Sequence, residues 1–164
     1  MKANYRILLA VSTAVLILDQ ATKILVDRTM ALYQSIPVVE GFFSITYMRN
    51  RGAAFSFLSN FSYRLPFFIL VSLVALAAIA VMVRKLRDDQ RLAAVSLSLI
   101  FAGALGNLID RVRLGEVIDF LDVYWKTHHW PAFNVADSAI CVGVALLALD
   151  MFREERSSRQ RPVS

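Results

Sequence analysis

Long apolar stretches recur along this chain and alternate with shorter polar segments. Four of them approach the length of about 20 residues that a helix needs to cross a bilayer core. They cover residues 7–26, 66–83, 92–109 and 136–152. The second holds no charged residue, and the third is interrupted only by small residues, two serines and one asparagine. The pattern predicts four transmembrane helices within one membrane domain, residues 1–164.

The first stretch also has features of a secretory signal peptide, because Lys2 and Arg6 precede its apolar run. A signal peptide is normally followed by a cleavage site with small residues, whereas Asp19, Gln20 and Lys23 follow this run. We therefore interpret the stretch as a membrane span of the mature protein.

The predicted spans leave two outer loops, residues 27–65 and 110–135. In the first loop, residues 35–39 and 42–49 are rich in β-branched and aromatic side chains, and Glu40-Gly41 between them suits a turn. The second loop carries several Trp and Tyr residues, which favour the membrane interface. The predicted fold is therefore an all-α membrane protein with a small β-rich element contributed by the first loop.

Composition agrees with a membrane location. Apolar residues make up 57% of the chain and charged residues 19%, compared with about 45–50% and 25% in soluble domains. The net charge of +5 suits an anionic membrane surface better than nucleic acid in so apolar a chain. The single cysteine excludes an intrachain disulfide and a zinc cluster. We predict no metal and no cofactor.

Basic residues are distributed unevenly between the two sides of the predicted membrane domain. With four spans, both termini and the connection near residues 84–91 share one side and hold ten Lys or Arg, against seven in the two longer outer loops. Because short cytoplasmic segments carry the excess of positive charge, we expect both termini to lie in the cytoplasm.

Polar residues cluster at the outer ends of the spans. Polar groups within a membrane are energetically costly, so their presence there needs an explanation. They include Asp19, Lys23, Asn50, Gly52, Asn107, Asp110, Arg111, Asp119, Asn134 and Asp137. Structural explanations exist for several of them. Asp19 and Lys23 are four residues apart and can form an ion pair within one helix. Asn107 can hydrogen-bond between helices, and Asp110 with Arg111 can form an interfacial charge pair.

Asp119 and Asp137 have no cationic neighbour in the sequence. They flank the loop between the third and fourth spans, so they can meet at one membrane depth. Two close carboxylates in a low-dielectric site do not both ionise easily, and one keeps its proton. Such a pair can activate water and protonate a leaving amide nitrogen, as in aspartic proteases. Interface packing or an ion path remain alternatives at this point.

Five motifs resemble those of the bacterial lipoprotein signal peptidase (signal peptidase II) family, in the same order and topology. They read DQATK at 19–23, RNRGAAFS at 49–56, GALGNLIDR at 103–111, GEVIDF at 115–120 and FNVADSAI at 133–140. One departure is Ala102, where the family often has a second glycine. The resemblance extends over nearly the whole chain.

The resemblance implies a four-span aspartic endopeptidase of the bacterial inner membrane, with its active site at the periplasmic face. Its substrates would be prolipoproteins whose cysteine carries a diacylglyceryl group, cleaved just before that cysteine. Asp119 and Asp137 would be the catalytic pair, and Asp19, Lys23 and Asp110 structural support. The residues expected to bind substrate or orient the pair are Asn50, Gly52, Asn107, Arg111 and Asn134. Membrane lipids are the other expected partners, and we expect a monomer.

Two other classes of function are compatible with intramembrane carboxylates or with precursor binding. A proton-coupled transporter would place polar residues through the whole bilayer depth and often shows repeated halves, whereas polarity here is one-sided and no repeat is visible. A scaffold without enzymatic activity would bind lipoprotein precursors and release no product.

Overall fold

The computed structural model describes residues 3–52 and 62–159 of the chain. These residues include four helices that are long and apolar enough to cross a membrane. The helices are α1 (Ala3–Thr29), α2 (Arg64–Lys85), α3 (Arg91–Leu114) and α4 (Val135–Arg159). A small antiparallel sheet accompanies them, which confirms the predicted fold class. Residues 53–61 lie outside the described residues, and with them part of the RNRGAAFS motif and of the first outer loop.

The helices extend beyond the predicted spans. A helix continues until a capping residue ends it, and this residue need not coincide with the end of the apolar stretch. α3 continues past residue 109 to Leu114 and stops at Gly115, whose φ of 74° is left-handed. Glycine adopts this conformation without a Cβ penalty, and its N–H caps the helix by donating to the carbonyl of Arg111. Asn107 and Asp110 therefore sit on one rigid helix with Arg111.

α3 lies at the centre of the helices and packs against α1, α2 and α4. In its most apolar stretch 56% of the residues are buried, compared with 17% or less in the other three helices. Glycines allow α4 to approach closely. A Cβ on Gly103 would lie 2.3 Å from the carbonyl oxygen of Ala136, closer than any real contact. This approach brings the first turn of α4 against the outer part of α3.

The sheet has four strands in the order β1-β2-β3-β4. The strands are β1 (Ser35–Val39), β2 (Phe43–Asn50), β3 (Val117–Trp125) and β4 (His128–His129). The prediction of β1 is confirmed, and β2 is found one residue later than predicted. Gly41 in the turn between them has a φ of 77°, a conformation that glycine adopts readily.

The second outer loop also contributes to the sheet, which the sequence analysis did not predict. β3 pairs with β2 and places Asp119 opposite Met48. Tyr47, Ile118 and Phe120 form a buried cluster with Val26 of α1. The sheet is therefore packed on the C-terminal end of α1, next to the C-terminal end of α3 and the N-terminal end of α4.

Candidate active site

Asp137 lies in the first turn of α4, where a reciprocal cap holds it. The Asn134 side-chain oxygen accepts a hydrogen bond from the backbone N–H of Asp137 at 2.9 Å. In return, Asp137 Oδ2 accepts one from the backbone N–H of Asn134 at 3.3 Å. This is the arrangement of a capping box, which satisfies N–H groups left without partners where a helix begins. The local sequence therefore fixes the position of the Asp137 carboxyl group.

Asp119 is the third residue of β3 and is only 3% exposed. Its Oδ2 accepts a hydrogen bond from the Asn50 side-chain amide at 3.0 Å. Its Oδ1 accepts one from the Asn134 side-chain amide at 2.8 Å. A carboxyl group buried this deeply would be costly without such partners. The end of β2 and the start of α4 thus hold Asp119 from two sides.

Two asparagines connect the two carboxyl groups. Asn134 donates to Asp119 from its side chain and to Asp137 from its backbone. Asn107 of α3 donates from its amide nitrogen to Asp137 Oδ1 at 2.8 Å. The Asn107 oxygen accepts from the Asn134 amide at 3.2 Å. Asp119 of β3 and Asp137 of α4 therefore share one hydrogen-bond network.

The environment of Asp119 favours its protonated form. Burial, followed by the negative charge of Asp137, raises the pKa of Asp119 to about 7. The hydrogen bonds from Asn50 and Asn134 and the positive charge of Lys23 act in the opposite direction. A carboxyl group that is still partly protonated at neutral pH, beside a second carboxyl group in the same hydrogen-bond network, can supply a general acid and a general base.

Lys23 of α1 forms a buried ionic cluster directly behind the asparagines. Its ammonium group lies 3.0 Å from Asp19 Oδ2 and 2.9 Å from Asp110 Oδ2, and it donates to Asn107 Oδ1 at 2.9 Å. All three charged side chains are at most 1% exposed. The ion pair of Asp19 with Lys23 agrees with its spacing, whereas Asp110 pairs with Lys23 and not with its neighbour Arg111.

The two carboxylates of this cluster also accept hydrogen bonds from the backbone of the site elements. Asp19 Oδ1 accepts from the Ala136 N–H of α4 at 2.9 Å. Asp110 Oδ2 accepts from the Ile118 N–H of β3 at 3.2 Å. Each of these residues immediately precedes one of the paired carboxyl residues in the chain. The cluster therefore supports the backbone that carries Asp119 and Asp137.

Arg111 lies between α2 and the two carboxyl groups of Asp119 and Asp137. Its guanidinium lies 5.0 Å from the centre of the Phe68 ring of α2 and donates to the Gly52 carbonyl at 3.5 Å. The Gly52 N–H donates to Asn50 Oδ1 at 2.9 Å. This orients the Asn50 amide nitrogen towards Asp119. Gly52 thus connects Arg111 with Asn50.

All ten residues singled out in the sequence therefore lie in one connected region of the structure, although their roles remain predictions. Gln20 belongs to this region as well, since its amide donates to Asp19 at 3.0 Å and to Asp110 at 3.2 Å. Its position next to Asp19 within the DQATK motif is the signal that could have identified it. Among residues 3–52 and 62–159, no group of three metal-ligating side chains could hold a metal ion.

A second polar cluster was missed entirely. Arg49 of β2 donates to Asp27 of α1 at 2.7 Å and to the Tyr47 hydroxyl at 2.6 Å, and Tyr47 also donates to Asp27. The cluster ties β2 to α1 just before Asn50. The sequence carries no signal for it, because Asp27 is distant along the chain from the other two residues.

The fold matches solved membrane enzymes. A bacterial membrane enzyme solved by the in meso method at 2.3 Å resolution has a TM-score of 0.84 and 33% identity, covering 96% of this chain and 94% of its own. A second one, solved by the same method at 1.9 Å, has a TM-score of 0.78 and 35% identity, covering 88% of this chain and 91% of its own.

Sequence relatives agree with the structural match. The lipoprotein signal peptidase of Geobacter metallireducens is 83% identical over 156 residues, which cover 95% of this chain and 96% of the relative. The corresponding protein of Geobacter sulfurreducens is 80% identical, with 95% and 98% covered. These relatives do not favour the transporter or scaffold alternatives. The family model described as signal peptidase (SPase) II matches residues 11–153, and the chain belongs to this family of membrane aspartic proteases.

Proposed function

We propose that this protein removes the signal peptide from diacylglyceryl-modified prolipoproteins by cutting just before the lipid-modified cysteine, with Asp119 and Asp137 as its catalytic pair. The observation that carries the proposal is the network in which Asn134 donates hydrogen bonds to both carboxyl groups. The relatives named as lipoprotein signal peptidases support the substrate class.

The two carboxyl groups have different environments and therefore different roles. A pKa raised to about 7 leaves a substantial fraction of Asp119 protonated at neutral pH, so Asp119 is assigned the role of the acid. Both carboxyl groups accept hydrogen bonds at both oxygens, so Asp137 is assigned the role of the base from charge. The Arg111 guanidinium interacts more strongly with Asp137 than with Asp119, and a nearby cation favours a carboxylate. Asp137 takes a proton from water, which attacks the scissile carbonyl carbon. Asp119 donates its proton to the carbonyl oxygen as the tetrahedral intermediate forms. When the C–N bond then breaks, the leaving amide nitrogen takes the proton held by Asp137, and a hydroxyl proton of the intermediate returns to Asp119.

The surrounding polar residues orient this pair and the substrate backbone. Asn107 and Asn134 hold the carboxyl groups in fixed orientations, and Asn50 holds Asp119 from the opposite side. Arg111 and Gly52 lie beside them and provide a cation and a backbone carbonyl. Fixed donors and charges of this kind lower a reaction barrier because they need no rearrangement when the reaction occurs.

The membrane geometry follows from the distribution of charge. Because positive residues are concentrated at the termini and in the α2–α3 connection, both termini lie in the cytoplasm and the carboxyl pair lies at the periplasmic face. The acyl chains of the substrate stay in the bilayer, so the bond to be cut is held near this face and the search for it is two-dimensional. The enzyme acts as a monomer surrounded by membrane lipids.

This proposal is tested with purified protein in detergent and a synthetic diacylglyceryl peptide. Asp119→Asn and Asp137→Asn should each lower kcat/KM about 10²- to 10⁴-fold, the range that general acid–base groups contribute. Asp122→Asn is the matched control, because Asp122 is also buried in β3 but its hydrogen bonds are to Thr46 and His129. Its variant should cleave at close to the wild-type rate.

Thermal unfolding of each variant shows whether the fold is retained. Wild-type activity in either Asp119→Asn or Asp137→Asn would refute the catalytic pair. Equal cleavage of a peptide without the diacylglyceryl group would refute the substrate class. A reporter fused to the C-terminus that fluoresces only in the cytoplasm tests the orientation separately.

A further inference from the structure

A groove of about 450 Å³ is lined by Asp119 and by residues of the sheet and its neighbouring loops. Its lining also includes Met48 and Asn50 of β2, Tyr33 before β1 and Pro131 after β4. Its volume is within the range of about 300–1,000 Å³ that is typical of ligand sites. The groove is therefore large enough to take part of a ligand that reaches the carboxyl pair.

The position of the groove indicates which part of a substrate fits it. All of its lining residues lie in the sheet or in the loops next to it, outside the four spanning helices. The apolar helix of a signal peptide precedes the cleavage site and stays in the bilayer. Only the residues that follow the cysteine leave the membrane, so they are the part of the substrate that can lie over the sheet.

A charged pair stands at the rim of this groove. Arg51 Nε lies 2.7 Å from Glu116 Oε1, and the Arg51 side chain is 63% exposed whereas that of Glu116 is 21% exposed. Among residues 3–52 and 62–159 the Arg51 guanidinium makes no other hydrogen bond. Because most of the Arg51 side chain is exposed, its remaining N–H groups can be reached by a carboxylate in the groove, while Glu116 is partly covered.

We propose that this groove binds the residues immediately after the acylated cysteine and that Arg51 favours an acidic side chain among them. This specificity rests on the proposed function, since it assumes that Asp119 acts on a prolipoprotein. Glu116 keeps the Arg51 guanidinium at the rim, where an Asp or Glu of the substrate completes its hydrogen bonds. A Lys or Arg at the same position meets the same guanidinium and is repelled.

The test uses pairs of diacylglyceryl peptides that differ only in having Asp or Lys at one of the positions after the cysteine. For the wild-type enzyme, kcat/KM should be about two- to fivefold higher for the Asp peptide at the preferred position, as expected for an exposed ion pair. Arg51→Gln should remove this preference, and Arg51→Glu should reverse it. Higher salt should weaken the wild-type preference, because exposed charges are screened.

Arg87→Glu is the matched control, because Arg87 is similarly exposed and paired with an acidic residue but lies in the α2–α3 connection. Its Asp-to-Lys ratio should equal that of the wild type. The inference would be overturned if wild type and Arg51→Gln had the same Asp-to-Lys ratio of kcat/KM. It would also be overturned if Arg51→Gln lowered kcat/KM equally for both peptides. Failure of the wild-type enzyme to cleave either peptide would instead refute the proposed function itself.

Discussion

The protonation of one side chain, that of Asp119, is set by opposing contributions. Burial and the charge of Asp137 raise its pKa, and the hydrogen bonds from Asn50 and Asn134 lower it. The resulting value of about 7 lies where a general acid is most effective at neutral pH. A change in one neutral neighbour should therefore move the pH range of activity without removing a carboxyl group.

Replacing Asn50 with Leu should extend activity to higher pH. Asn50 donates to Asp119 and stabilises its charged form, so losing this donor raises the pKa of Asp119 above its wild-type value of about 7. The proposed mechanism requires the proton on Asp119, so the alkaline limb of the kcat/KM profile should shift to higher pH. The measurement is a profile between about pH 5 and 9.

Thr46→Val is the control for this profile. Thr46 also lies in β2 and donates to a buried carboxylate, but that carboxylate is Asp122 at 3.0 Å. The alkaline limb of the Thr46→Val profile should coincide with that of the wild type. If the Asn50→Leu limb stayed in place or moved to lower pH, Asp119 would not be the group that must hold the proton.

At the scale of elements, the contact between α3 and α4 determines where Asp137 lies. Gly103 faces the Ala136 carbonyl oxygen, and Gly143 faces the Ser96 carbonyl oxygen farther along the same contact. A Cβ on either glycine would lie within 2.7 Å of that oxygen. Both positions set the spacing of the two helices, but only Gly103 lies against the turn that carries Asp137.

Gly103→Ala and Gly143→Ala form a matched pair that separates stability from positioning. Each adds a methyl group to a closed contact and should destabilise the protein by about 1–3 kcal/mol, seen as a lower Tm in detergent. Gly103→Ala should also reduce kcat more than Gly143→Ala, because it displaces Ala136 next to Asp137. Equal kcat values at equal loss of Tm would argue against control of Asp137 by this contact.

Elements differ in how well the sequence predicts them. The helices and the β1–β2 hairpin follow from apolar length and from a turn at Gly41. The strand β3 does not, because both of its faces are buried from Val117 to Phe120. A strand covered on both faces reads as an almost continuous apolar run without alternation. The pairing that brings Met48 opposite Asp119 was therefore not predictable from local pattern.

At the scale of the whole molecule, the site residues could be identified from the sequence while the contacts between them could not. Their motifs resemble those of a family, but the partners of Lys23 come from two helices, α1 and α3. Asp19 and Asp110 extend the cluster to the backbone of α4 and β3. Such long-range contacts depend on the complete fold. One buried cluster thus contacts both elements that carry the proposed catalytic carboxyl groups, β3 and α4.

Removing the cation of this cluster should destabilise the entire protein. Lys23→Met leaves Asp19 and Asp110 buried without their counter-charge, which costs about 3–5 kcal/mol and should lower Tm markedly in detergent. Adding Asp19→Asn and Asp110→Asn removes the unpaired charges, while the amide oxygens still accept from the backbone of α4 and β3. The triple variant should therefore regain most of the lost Tm.

The activity of the triple variant should nevertheless stay below that of the wild type. Without Lys23, no ammonium group orients the Asn107 amide that donates to Asp137. Lys85→Met, which removes an exposed lysine at the end of α2, should change neither Tm nor kcat. A Lys23→Met variant with wild-type Tm would contradict the structural role of the cluster. Full activity in the triple variant would show that Lys23 contributes to folding alone and that Asn107 is oriented by Asn134 without it.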